Sequence, residues 1–77
     1  MSIHAYISRS DIPPSISMAV RRCEEIEEPV WSFSGCGFSA TLTASEEFEF
    51  VVPREWAARR ALFEWFEYVG IPYRVLP

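Results

Sequence analysis

The 77-residue sequence contains no Lys, Asn or Gln, a single His, two Cys and three Gly. Each scarcity removes a class of function. Without Asn and Gln the chain lacks the side chains that read adenine edges bidentately. Its net charge of −4, from eleven acids against seven bases, provides no general attraction to phosphate backbones or anionic lipid. Direct nucleic-acid binding and membrane binding are therefore not expected, and a partner protein with a basic surface is easier to accommodate. All the bases are Arg, so each cation is a planar guanidinium suited to stacking and bidentate pairing. No apolar run approaches the roughly 18 residues of a membrane span. The opening MSIHAYISRS lacks the basic start, apolar stretch and small-residue cleavage site of a secretory signal. The expected location is the cytoplasm, that of a host cell if the chain is phage-encoded.

Reactive chemistry is also scarce. A zinc site would need His4, Cys23 and Cys36 to converge with a carboxylate, and their spacing matches no familiar zinc pattern. No metal or cofactor is expected. In a chain without a secretion signal the two cysteines are read as reduced thiols. Cys23 falls on an apolar stripe and reads as a small packed hydrophobe. Cys36, between Gly35 and Gly37, reads as a more exposed turn residue with no neighbouring His or Lys to lower its pKa. The carboxylate pairs Glu24/Glu25, Glu27/Glu28 and Glu46/Glu47 lie in polar segments, where nothing predicts the burial that separates pKa values for acid–base work. No catalytic residue is assigned, and the chain is expected not to be an enzyme.

What the sequence does hold is apolar density. Twelve aromatics (16%) and 49% hydrophobic residues, with 23% charged, suit one compact domain over 1–77 whose small size demands a dense core. The most periodic stretch runs from Pro53 to Gly70. At about 100° per residue, Ala58, Ala61, Leu62, Trp65 and Val69 share an arc flanked by Ala57, Phe66 and Tyr68. That arc is the expected core face, with Pro53 at the first helical position and Gly70 as a left-handed stop. Trp56 and Phe63 fall on the opposite side among Arg59, Arg60 and Glu67, where an amphipathic helix should be polar.

Elsewhere, Ile3–Ser8 reads as a strand and Arg9–Pro13 as a polar turn. From Ser15 to Glu28, Ile16, Ala19, Val20, Cys23 and Ile26 recur at helical spacing, which predicts a first helix stopped by Pro29, with Arg21 and Glu25 as an i,i+4 pair. Its last turn would hold Glu24, Glu25, Glu27 and Glu28 at the negative end of the helix dipole, an unfavourable placement that reads either as a solvated acidic face or as a docking patch. Trp31 and Phe33, then Phe38, Ala40, Leu42 and Ala44, then Phe48, Phe50 and Val52 alternate with more polar neighbours. Turns at Gly35–Gly37 and Ser45–Glu47 separate these runs, giving a three-strand antiparallel meander. Tyr73–Leu76 reads as a final strand confined to an edge or a strand start by Pro72.

The expected fold is therefore α+β: a mixed, mostly antiparallel sheet with two helices packed on one face. This resembles a ferredoxin-like βαββαβ plan with one extra short strand, an architectural likeness that implies no function. Many RNA-binding domains share the plan, and Gly35-Cys36-Gly37-Phe38 partly resembles the RNP1 segment of an RRM. Ser34, Cys36 and Thr41 depart from that pattern where a basic residue and two aromatics belong. The resemblance would make Phe38 a stacking platform for single-stranded RNA.

Two candidate docking surfaces remain. One is the acidic set Glu24, Glu25, Glu27 and Glu28. The other is Trp56, Arg60, Phe63 and Glu67, spaced i, i+4, i+7 and i+11, with Arg59 able to stack over Phe63; Trp and Arg are enriched at binding hot spots. The leading expectation is a small acidic protein-binding module. In kind it looks like the inhibitors that phages make against host systems, anti-CRISPR proteins among them, docking on a basic and nucleic-acid-binding surface. The alternatives are a subunit that self-associates, as a homodimer, through an edge strand or through Trp56 and Phe63, and the RRM-like RNA binder.

Overall fold

A computed structural model describes residues 2–23 and 26–77; the side chains of residues 22–28 fall outside the description. The chain forms β1 (His4–Ser8), a 3-10 turn (Arg9–Asp11), β2 (Met18–Cys23), β3 (Ile26–Phe33), β4 (Ser39–Leu42), β5 (Glu47–Val51), the helix α1 (Trp56–Val69) and β6 (Tyr73–Leu76). The six strands make one sheet in the order β2-β3-β4-β5-β1-β6, and every neighbouring pair is antiparallel.

This corrects the two-helix, ferredoxin-like expectation: the described residues hold one helix, and the sheet is antiparallel throughout. The stretch expected as a first helix is instead a loop followed by β2 and the start of β3. Period two governs β2, because Met18 and Val20 lie opposite Phe33 and Trp31 and so share the face of the sheet that carries those rings. The helical spacing of Ile16, Ala19, Val20 and Cys23 was a coincidence of short β-branched and small residues, which fit a strand equally well. Pro29 does not stop a helix; it lies within β3 opposite Arg22, beyond the recorded β3–β4 pairs Trp31↔Ala40 and Ser32↔Ser39.

The meander from β3 to β5 agrees with the alternation in the sequence. Gly35 turns the chain at φ 77°, and Glu46 makes the β4–β5 turn at φ 61° while Thr43 N–H donates to Glu47 O at 2.8 Å. β1 slots between β5 and β6, with Ala5 opposite both Phe50 and Val75. Because β5 and β6 are each antiparallel to β1, they run in the same direction, and α1 crosses between them over one face.

That face carries the core: Ala5, Ile7, Phe33, Ala40, Phe48 and Phe50 from the sheet, Leu62, Trp65 and Phe66 from α1, with Val52 and Ile71 beside the helix ends. Edge-on aromatic contacts tie it together. Phe33 and Phe48 are 5.0 Å apart at 86°, and Phe50 and Phe66 are 5.3 Å apart at 75°. Ile12, Ile16, Trp31 and Phe38 are partly buried and pack against this core. Phe38 thus precedes β4 and lies half buried, rather than standing on the sheet as a stacking platform.

Candidate functional site

α1 begins at Trp56 because Glu55 caps it: its carboxylate accepts from Ala57 N–H at 3.1 Å and Ala58 N–H at 2.9 Å. Pro53 therefore lies before the helix rather than at its first position. At the other end Gly70 takes φ 76°, donating to Glu67 O at 3.2 Å, while Ile71 N–H reaches Phe66 O at 3.0 Å. This pair of bonds is the left-handed glycine stop expected there.

Burial on the helix is rotated from the expected arc. Leu62, Trp65 and Phe66 are buried, Ala58, Phe63 and Val69 are half buried, and Ala57, Ala61 and Tyr68 face solvent. Tyr68 is 89% exposed. The large rings decide the rotation. Phe66 sits 5.0 Å from Tyr73 and Phe63 stacks on Tyr73 at 5.4 Å and 16°, so the helix leans its Phe63 side onto β6.

Trp56, two turns before Phe63 on the same helix, is 72% exposed. Trp56, Arg59, Arg60, Phe63, Glu64 and Glu67 line one open groove of about 360 Å³. The structure thus gathers all five of the helix residues singled out from the sequence and adds Glu64. Arg59 does not stack over Phe63: its Nε donates to Pro53 O at 3.1 Å and ties the helix entry to the chain before it. Arg60 donates through Nε to Glu64 Oε1 at 2.8 Å, with both side chains mostly exposed. Glu67 has no ion pair among the described residues.

The acidic candidates cannot be placed in the same way. Glu24 and Glu25 lie outside the described residues. Glu27 and Glu28 fall within β3, with side chains outside the description. The expected Arg21/Glu25 pair lies outside it for the same reason.

The sheet face turned away from α1 holds a set that the sequence reading did not single out. Tyr6 Oη donates to Glu49 Oε2 at 2.7 Å. Arg74 lies over the Tyr6 ring at 5.2 Å and donates to Glu47 Oε1 at 2.8 Å. The hydrogen bond to Glu49 and, less strongly, burial push the Tyr6 hydroxyl pKa up. The signal was the alternation itself, which put Tyr6, Glu47 and Glu49 on polar sides of their strands; the missing piece was that β1 lies beside β5. His4, on the same face, is half buried. Cys36 is half buried rather than exposed, and burial raises its thiol pKa, which weakens it as a nucleophile.

Among the described residues no group of three or more His, Cys, Asp or Glu could hold a metal ion, and no helix is long and apolar enough to cross a membrane. Comparison with protein-family models, curated proteins and solved structures finds no match.

Proposed function

We propose that the chain is a small, non-enzymatic protein-binding module, which docks its acidic edge on a basic, nucleic-acid-binding surface of another protein in the manner of phage inhibitors such as anti-CRISPR proteins. The observation that carries this reading is where the excess charge lies. Glu24, Glu25, Glu27 and Glu28 account for four of the eleven acids, leaving seven acids against seven arginines in the rest of the chain. The whole net charge of −4 therefore equals that of one five-residue segment. In the chain Glu24 and Glu25 come between β2 and β3, and Glu27 and Glu28 fall within β3. Carboxylates that close together in the sequence can occupy positions that phosphates would take in a partner's groove, and their attraction steers encounter with a basic surface.

The test begins with affinity capture from the source cell and identification of the captured protein by mass spectrometry. Replacing Glu24, Glu25, Glu27 and Glu28 with Arg is expected to abolish binding to that partner while thermal unfolding stays cooperative. The partner's own nucleic acid is expected to compete with the wild-type chain, and salt to weaken the complex. Unchanged affinity in the charge-reversed variant would sink the reading.

A further inference from the structure

The α1 flank lies beside β6, at the opposite end of the strand order from β2, and its pattern has its own logic. Along the exposed stripe the order is Trp56, Arg60, Phe63, Glu67: an aromatic and a cation toward the N-terminus, an aromatic and an anion toward the C-terminus. A stripe with positive charge in its first half, negative charge in its second and an apolar centre is complementary to itself when turned end over end. That is the requirement of a two-fold interface, in which the same patch serves both partners.

We infer that this flank binds a second copy of the chain, with the two α1 helices antiparallel and Phe63 of each near the two-fold axis. Arg60 of one copy then faces Glu67 of the other, and the pair occurs twice. Its groups are available. Glu67 has no ion pair among the described residues. Arg60 spends only its Nε on Glu64, which leaves the terminal guanidinium nitrogens to donate to a second carboxylate. Trp56, held on a rigid helix at 72% exposure about two turns from Phe63, supplies a large aromatic of the kind enriched at binding hot spots. Phe63 lines the same groove and is already positioned by its stack on Tyr73.

Side chains rather than strand backbone make this contact. β6 is an outer strand of only four residues, bracketed by Pro72 and Pro77, and short edges with proline are poor templates for another strand.

Sedimentation velocity over a concentration series tests the inference. The wild-type chain is expected to sediment as a reversible dimer that dissociates on dilution. Trp56→Ala, at a position that supports little of the fold, is expected to weaken dimerisation by roughly 30-fold or more. Arg60→Glu and Glu67→Arg are each expected to weaken it roughly tenfold, because each change turns two attractive pairs repulsive. Placed together in one chain, they restore the pairing with signs exchanged and are expected to recover most of the lost affinity; circular dichroism checks that each variant is folded. A monomer at every concentration would overturn the inference, and so would a dimer indifferent to Trp56→Ala or a double variant no better than the singles. Reversal of the four acidic residues is expected to leave the dimer intact, so failure here and failure of the acidic-edge reading are separate results.

Discussion

The two halves of the sheet use the same antiparallel ladder but are covered differently. β5, β1 and β6 lie under α1, whose Leu62, Trp65 and Phe66 close over Ala5, Ile7, Phe48 and Phe50. β2 has no helix above it. On the face it shares with Phe33 and Trp31, Val20 is 53% exposed and Met18 is also exposed, while Ile12 and Ile16 of the loop after β1 pack against the core nearby. Strand pairing makes the sheet continuous, whereas burial is concentrated at the helix-covered end. Side-chain burial under the helix is therefore expected to carry most of the stability, while residues 18–21 of β2 leave their side chains exposed.

The largest expected effect breaks the covered end. Phe66→Ala removes a fully buried ring that touches Phe50, Phe63, Trp65 and Tyr73, and is expected to cost about 3–5 kcal/mol in chemical denaturation. A loss below about 1 kcal/mol would mean that the helix cover is not the core. Val20→Ala, its counterpart on the uncovered strand, is expected to change stability by no more than about 0.5 kcal/mol. A larger loss would show that the β2 edge is buried in solution. The finest test concerns the polar face of the covered half. Neutral Tyr6 can donate to Glu49, and ionised Tyr6 cannot. Whatever this bond contributes is therefore present at pH values below the ordinary tyrosine range and is lost as pH rises through the raised folded value. Ultraviolet titration is expected to show a Tyr6 ionisation above the ordinary tyrosine range, and Glu49→Gln to bring it back down; a titration unchanged by Glu49→Gln would contradict the bond.

How much of this was legible in the sequence also differs between the halves. Phe48, Phe50, Ala40 and Leu42 announced their strands by clean alternation, and Gly70 marked the helix end because a left-handed stop favours that residue. The rotation of α1 was not legible. Phe63 and Phe66 were drawn to Tyr73, a ring on a strand whose position beside β1 no local pattern encodes. The uncovered half misled for a related reason: over Ser15–Cys23, short and β-branched residues satisfy both a helical and an alternating pattern, and pairing with β3, a long-range fact, decides between them. In the candidate site, the groove composition of Trp56, Arg60, Phe63 and Glu67 was readable from spacing alone. The bond from Arg59 to Pro53 was not, since it depends on how the chain enters the helix.

The position of β1 also orders events in time. Among the described strands it is made before the other five, yet its neighbours β5 and β6 are the last two of the six. Local hairpins such as β2–β3 can close early, because the entropic cost of joining near segments is small. β1 must wait, with Ala5 and Ile7 uncovered, until Phe48 and Phe50 have emerged from the ribosome, and its second edge stays open until Tyr73–Leu76 follow. The covered half of the sheet is therefore completed only by β6, and a chain stalled before Tyr73 keeps β1 paired to β5 alone, with its other edge open.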